Sequence, residues 1–244
     1  MRGETKPFQQ KEVSMLKVMG LLQRKPGMQL DAFRLHWRTI HRDLALRLAH
    51  AGIIRGYVQN HRLAIDVDGL VPFADGVPEL WFDDALSLDR MRDSPAYRDG
   101  AFHDGPRFMD VENYDSILLQ PEPEIAAPPR TECAGLLKAM FILETAAPED
   151  IEEPRSSMIM GEISPVRLSY HRVADEKTAI STRPCVAVET SWWNDLPSFL
   201  EAWAHRSVSK APGILIEERP VFWPGERPPP ADWSPVSASA RQPN

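Results

Sequence analysis

Histidines and large aromatic residues recur at regular spacing in the first quarter of the chain. Phe33, Trp37 and His41 follow one another at four-residue steps, which places all three on one face of a predicted helix. Tyr57 and His61 lie four residues apart in an alternating segment, so they share one face of a predicted strand. A histidine set among aromatic walls can move a proton near neutral pH. This is where we expect a reactive pocket.

Two histidines and a tyrosine are the candidates for chemistry. His41 is the first, as a general acid or base; the alternative is a histidine at the pocket edge, bonded to a backbone carbonyl. His61 is the second, with Tyr57 about 13–14 Å away along an extended strand, so that a ligand could lie between them. The alternative for His61 is a sheet histidine that faces core or solvent. Asn60 points to the opposite face of the strand.

Other residues are candidates for contacts to a substrate. His103 falls with Asp104 in a predicted polar loop, and loops carry function more readily than cores do. Large aromatic side chains suit the walls of a dry pocket around a flat ligand, although they are more often core residues. Tyr170, in the second half, stands near the place that Tyr57 has in the first. The candidate substrate-binding residues are Phe33, Trp37, Trp81, His103 and Tyr170.

The sequence carries no signal for a common cofactor. It contains no glycine-rich phosphate loop, no dinucleotide fingerprint and no nucleophile elbow. Metal binding is not favoured, because His36 and His41 are five residues apart and are predicted to lie on different faces of the helix. A metal site formed by His41, His61, His103 and a carboxylate stays open as an alternative. We predict a site without a cofactor and without a metal.

The elements that position these residues are predicted in the order β-α-β-β-α-β, which is the ferredoxin-like order. Apolar or alternating runs indicate strands, and apolar residues at helical spacing indicate helices. Asp31 is a suitable N-cap for the first helix, and Gly52 is suited to end it. The predicted strands are residues 16–22, 53–63, 79–82 and 114–119, with helices from 31 to 52 and from 88 to 97 and polar loops at 65–78 and 100–106.

The second half repeats this order in a diverged form after a proline-rich connector, residues 120–131. Residues 148–160 stand where its first helix should be, but they lack the Phe-x3-Trp-x3-His pattern. Two four-stranded sheets with helices on one face can bury their open faces by packing sheet to sheet. We predict an α+β fold of two ferredoxin-like βαββαβ units that form an intrachain pseudo-dimeric α+β barrel, with domains at 15–120 and 132–223 and extended or disordered tails at 1–14 and 224–244.

Charge and cysteine content limit the partners. The net charge of −7 disfavours nucleic acid and membrane, which both require concentrated Lys and Arg. Cys133 and Cys185 have no spacing typical of a metal or redox site and are expected to be free thiols. No apolar run reaches the ~18 residues of a membrane span, so we expect a cytoplasmic protein. Four arginines are predicted to form a solvated helix edge, unless the substrate is anionic: Arg34, Arg38, Arg42 and Arg47.

The first half resembles the EthD family of dimeric α+β barrel proteins. The resemblance begins with Arg24-Lys25-Pro26-Gly27 and the spaced Phe33, Trp37 and His41. It continues through residues 57–61, 75–77, 79–83, 94–95 and 108 and so covers residues 15–120. The second half resembles a diverged copy that lacks the Trp and His of the first helix. The resemblance therefore implies one working pocket, in the first half, rather than two.

The wider superfamily contains cofactor-free cyclases, isomerases, dehydratases, decarboxylases and some monooxygenases. The resemblance thus implies a lyase or isomerase that needs no cofactor and acts on a small aromatic or polyketide-like carbonyl or carboxylic compound. His41 would be its general acid or base, and His61 or Tyr57 would orient the substrate or stabilise negative charge. One alternative is a non-catalytic binding protein accessory to a catabolic pathway, and another is haem or oxygen chemistry. The chain would work as a monomeric pseudo-dimer or as a homodimer.

Overall fold

The computed structural model describes residues 15–120, 128–144, 163–174, 185–205 and 209–230. Its first repeat has the predicted β-α-β-β-α-β order, with a two-residue strand added before the third main strand. The elements are β1 (Leu16–Leu21), α1 (Leu30–His36), a π-helical turn (Trp37–His41), α2 (Arg42–His50), β2 (Gly56–Arg62), β3 (Leu70–Val71), β4 (Gly76–Phe82), α3 (Ala85–Asp93), a second π-helical turn (Tyr97–Ala101), α4 (Phe102–Phe108) and β5 (Asp115–Leu119).

Local sequence explains most of these boundaries. Gly52 has a φ of 69°, the left-handed conformation in which glycine ends a helix at little cost. Asp84 caps α3 by accepting a hydrogen bond from the Ser87 amide. The prediction of a loop at residues 100–106 was wrong, because this segment is helical and continues to Phe108. Gly100 and Pro106 have low helix propensity, but the second π-helical turn packs on α2 and α4 packs on the first π-helical turn, which stabilises the helical conformation.

The second repeat contributes a short 3₁₀ turn, four strands and a helix to the described residues. They are the turn Arg130–Cys133, β6 (Leu137–Leu143), β7 (Arg167–Arg172), β8 (Ala187–Trp193), α5 (Leu196–Ala204) and β9 (Ala211–Phe222). Asp195 caps α5 by accepting from the Ser198 amide, in the same way that Asp84 caps α3. The helix predicted at 148–160 lies outside the described residues, as do the tail at 1–14 and most of the tail at 224–244.

Eight of the described strands form one antiparallel sheet that closes into a barrel. The strand order is β5-β1-β4-β2-β9-β6-β8-β7, and β3 lies beside β9. The two repeats join where β2 pairs with β9, with Tyr57 to Arg62 opposite Phe222 to Ile216. The other edges meet where Leu119 bridges to Val173 and the Ala174 amide donates to the Leu118 carbonyl. The predicted intrachain pseudo-dimeric α+β barrel is therefore confirmed, and its two sheets are joined edge to edge.

Apolar side chains fill one part of the barrel interior, and helices cover the outside. The interior cluster consists of twelve buried residues: Met19, Leu21, Phe73, Ala74, Val77, Ile117, Leu119, Met140, Ile142, Val188, Ile214 and Ile216. The outer face of the first repeat packs on α2 and α3, and the outer face of the second packs on α5. Because strand residues alternate between faces, each strand supplies both layers. None of the described helices is long and apolar enough to cross a membrane.

The interior of the barrel also holds a charged cluster around Glu79 of β4. Its carboxylate accepts from Lys138 at 2.9 Å and from Arg130 at 2.7 Å, and it pairs with Lys17 at 2.9 Å. Burial by itself would raise the pKa of Glu79, but Arg130, Lys138 and Lys17 outweigh it and hold that pKa well below its usual range. Glu218 of β9 accepts from the same Arg130 and Lys138, so this cluster ties the two repeats together.

Candidate functional site

A π-helical turn in the first helix brings two histidines onto one carboxylate. His36 Nε2 lies 3.0 Å from each Asp104 oxygen, and His41 Nδ1 lies 3.0 Å from Oδ2. The prediction that these histidines lie on different faces was wrong, because it assumed an unbroken α-helix. A π-helical turn between them closes hydrogen bonds from residue i to i+5, which aligns side chains five positions apart.

Asp104 of α4 is the buried member of this group, which we call the His–Asp–His cluster (His36, Asp104 and His41). The Asp104 side chain is 3 % exposed, against 16 % for His36 and 17 % for His41. Burial raises the pKa of Asp104, but hydrogen bonds from His41 and His36 outweigh burial and leave that pKa below its ordinary value. The carboxylate therefore stays ionised near neutral pH, while both imidazoles remain open to solvent on one side.

An aromatic wall backs the His–Asp–His cluster. The Phe108 ring stacks on His36 with centroids 4.9 Å apart and contacts His41 at 4.8 Å. Phe33 packs on Phe108 at 5.5 Å and on Trp37 at 5.7 Å. The Phe33, Trp37 and Phe108 rings are fully buried, so they separate the cluster from the sheet beneath the helix.

On the sheet side of this wall, Gln59 links the two strand candidates. Tyr57 OH accepts from Trp37 Nε1 at 3.0 Å and from Gln59 Nε2 at 2.8 Å. Gln59 Nε2 also donates to the Trp37 carbonyl at 3.0 Å, and Gln59 Oε1 lies 3.0 Å from His61 Nε2. Burial raises the pKa of Tyr57 to about 12, so its hydroxyl is neutral and cannot act as a base near pH 7.

The protonation state of His61 follows from these partners. The Trp37 carbonyl can only accept, so Gln59 turns its NH₂ group toward Trp37 and its oxygen toward His61. His61 Nε2 must then carry the proton, and Nδ1 is a bare acceptor without a hydrogen-bond partner among the described residues. Burial, together with the positive charges of Arg34, Arg219 and Arg38, lowers the pKa of His61 to about 3. His61 is therefore neutral, with a single tautomer.

Three of the predicted substrate contacts lie away from this helix–sheet interface. Trp81 faces the barrel interior, where Lys17 and Arg130 lie over its ring at 5.4 and 5.7 Å. His103 is exposed on α4 and contacts Phe102 rather than the aromatic wall. Tyr170 of β7 packs with the outer-face core of the second repeat. Phe33, Trp37, Tyr57 and His61 form one contiguous group, and His41 lies across the wall from His61.

Asp104 was not predicted as the partner of His36 and His41, and Gln59 was not predicted as the link between Tyr57 and His61. Gln59 carried a usable signal, because it alternates with Tyr57 and His61 and so shares their strand face. Asp104 carried none, because it approaches the histidines from another helix. Among the described residues, no three histidine, cysteine or acidic side chains lie so that they could hold a metal ion together.

The fold is a single-chain α+β barrel. Its candidate site lies on the first helix, where the His–Asp–His cluster is on one side of the aromatic wall and His61 is on the other. Residues 25–112 match the family model of the EthD domain, which confirms the resemblance that the motifs of the first repeat predicted. The structure of an anthrone oxidase-like protein is similar with a TM-score of 0.46 and 8% identity, over 88% of this chain and 95% of that one. A chlorite dismutase variant from Candidatus Nitrospira defluvii has a TM-score of 0.44 and 10% identity, over 86% and 92%. No curated protein sequence matches the chain.

Proposed function

We propose that the chain is a small-molecule enzyme in which His41 acts as a general acid or base, without a cofactor. The reaction would be of the lyase or isomerase type: proton transfer next to a carbonyl or carboxyl group of a small aromatic or polyketide-like compound. The observation that carries the proposal is the pair of histidines held by one buried, ionised carboxylate, with one side open to solvent.

Each member of the His–Asp–His cluster has a role in this proposal. Asp104 accepts from His41 Nδ1–H, which fixes the tautomer and leaves the Nε2 lone pair free to take a proton. The negative charge of Asp104 stabilises the imidazolium that forms. His36 donates to the same carboxylate and keeps it oriented toward His41. His41 would therefore be the catalytic residue, and Asp104 and His36 would be positioning residues.

An exposed apolar side chain next to His41 could contact the body of such a substrate. Ile40 precedes His41 and is 51 % exposed. Apolar side chains next to polar groups are typical of small-molecule sites. On the other side of the wall, Tyr57 fixes the Trp37 ring by its hydrogen bond and so helps to hold the helix that carries His41.

The barrel within one chain supports a monomer that works as a pseudo-dimer, although a homodimer of such chains belongs to the same proposal. Cys133 and Cys185 are both free thiols, which agrees with a reducing compartment such as the cytoplasm. A small hydrophobic or aromatic compound would be the partner.

A proton-exchange assay tests this function. Small aromatic ketones and keto acids in D₂O are followed by NMR for deuterium uptake next to the carbonyl. His41→Gln should lower the exchange rate by ~10²–10⁴-fold, because a positioned acid or base contributes about that much. Asp104→Asn should also lower it, because the amide cannot stabilise the imidazolium. His50→Gln, at an exposed histidine of the same helix, is the matched control.

Two results would contradict the proposal. Exchange by His41→Gln within a few-fold of the unsubstituted protein would remove His41 from the reaction. A compound that co-purifies with the protein and is never turned over would favour the alternative, a non-catalytic small-molecule binding protein.

A further inference from the structure

Two arginines pair with one carboxylate on the outer face of the barrel, next to His61, and a third arginine lies near His61. Glu217 of β9 is the cross-strand neighbour of His61. Its carboxylate accepts hydrogen bonds from Arg34 of α1 and from Arg219. Arg38 follows Arg34 by one helical turn and makes no ion pair with any described residue. Arg34 also lies 3.8 Å from the exposed Asp31 carboxylate, so the three arginines face two carboxylates and keep an excess of one positive charge.

The arginines need an anion, whereas His61 needs a hydrogen-bond donor from the ligand. Its Nε2–H donates to Gln59, so Nδ1 offers a lone pair that no described residue satisfies. His61 is 1 % exposed, and water cannot freely supply the missing donor. An unsatisfied buried acceptor costs free energy that a ligand hydroxyl would recover. An anion alone would meet only the arginines, and a neutral alcohol would meet only His61.

We propose that Arg34, Arg38, Arg219 and His61 form a binding site for a small hydroxy acid. The ligand carboxylate pairs with the arginine side chains, whose planar guanidinium forks match a carboxylate. The ligand hydroxyl donates to His61 Nδ1. Glu217 occupies two of the arginines in this structure, so it acts as an internal carboxylate that the ligand displaces.

Burial and packing leave a route to this site. Arg219 is 41 % exposed and Glu217 is 35 % exposed, so their ion pair can open toward solvent. The buried Trp37 ring packs on the His61 ring with centroids 4.5 Å apart and forms the protein side of this site. The site lies across the wall of Phe33, Trp37 and Phe108 from the His–Asp–His cluster. It therefore does not depend on an acid–base role of His41.

A set of three matched compounds tests the site by calorimetry or NMR titration. Mandelate carries both groups, phenylacetate lacks the hydroxyl and 2-phenylethanol lacks the carboxylate. We expect mandelate to bind roughly three- to tenfold more tightly than phenylacetate, the ratio of one hydrogen bond. Binding of 2-phenylethanol should be weaker than that of both acids. Equal affinity for mandelate and phenylacetate would overturn the assignment of His61.

Single substitutions separate the contribution of the arginines to ligand affinity from that of His61. Arg219→Gln should weaken both acids by roughly tenfold, the loss of a charge-assisted hydrogen bond. Glu217→Gln should tighten both, because it releases Arg34 and Arg219. His61→Phe should erase the preference for mandelate, whereas His41→Gln should leave binding unchanged even if it abolishes turnover. Arg55→Gln, at an exposed arginine paired with Asp83, is the control. Unchanged affinity in both Arg219→Gln and Glu217→Gln would overturn the proposal.

Discussion

Asn60 and His61 are neighbours in β2, and their side chains lie on opposite faces of the barrel wall. Inside, Asn60 Nδ2 donates to the Val77 carbonyl at 2.8 Å and to Glu79 at 2.9 Å, and its oxygen accepts from Lys138 at 2.8 Å. Outside, His61 has one partner, Gln59, and a buried nitrogen without any among the described residues. The polar groups that contact Asn60 on the inner face are satisfied, whereas His61 on the outer face keeps one unsatisfied nitrogen.

The same contrast runs along β9. Glu218 points inward and is held by Arg130 and Lys138, which two different segments supply. Glu217 points outward, and its partners Arg34 and Arg219 are partly exposed. A fully connected buried network stabilises one arrangement of the chain, whereas an incomplete one leaves groups available to a ligand. We therefore expect the interior cluster to stabilise the fold and the outer face to bind a ligand.

The largest effect that would test this division is expected at Glu79. Glu79→Gln leaves Lys17, Arg130 and Lys138 buried without their shared carboxylate. Removing one partner of a buried ion pair costs about 3–5 kcal/mol, and urea denaturation should show a loss of that size. Asp83→Asn, which breaks an exposed pair with Arg55, should cost at most about 1 kcal/mol. Similar losses of stability in Glu79→Gln and Asp83→Asn would contradict the stabilising role of the interior cluster.

Substitutions at the neighbouring positions Asn60 and His61 in β2 test the same difference between the inner and the outer face. Asn60→Leu removes three hydrogen bonds from the interior network and should cost about 2 kcal/mol more than His61→Phe. His61→Phe leaves one Gln59 acceptor unpaired but also removes the unsatisfied Nδ1. The free energies of unfolding of both variants, measured side by side, give the difference. A larger loss at His61 would mean that the outer face is the better-connected one.

A further effect is a pH dependence of stability at His61, which amounts to roughly 1 kcal/mol for each pH unit below pH 6.5. Its pKa is about 3 in the folded chain against about 6.5 in the unfolded chain, so the unfolded state binds the proton first as pH falls. The His61 contribution is complete above pH 6.5 and is lost toward pH 3, by roughly 1 kcal/mol per pH unit. His61→Phe should therefore flatten the stability curve between pH 6.5 and 5. Parallel curves for the two proteins would show that His61 takes up its proton without cost.

Much of the fold was predictable from local sequence. The order of strands and helices in the first repeat follows from apolar periodicity, and the caps at Gly52, Asp84 and Asp195 follow from residue type. The placement of Asn60 and His61 on opposite faces follows from strand geometry alone. Helical spacing likewise placed Phe33 and Trp37 together, and both are buried on the same face. These features depend on residues close in sequence.

What the sequence by itself determined is therefore the order of elements, their buried faces and the stretch that holds the histidines. Only the tertiary structure decided which side chains meet. A π-helical turn, invisible to helical periodicity, put His36 and His41 on Asp104, which lies more than 60 residues further along the chain. Arg130, in the connector region, reached Glu79 and Glu218 only because the two repeats closed into one barrel. Such pairings join distant segments, and no local pattern encodes a contact whose partner is set by how whole elements pack.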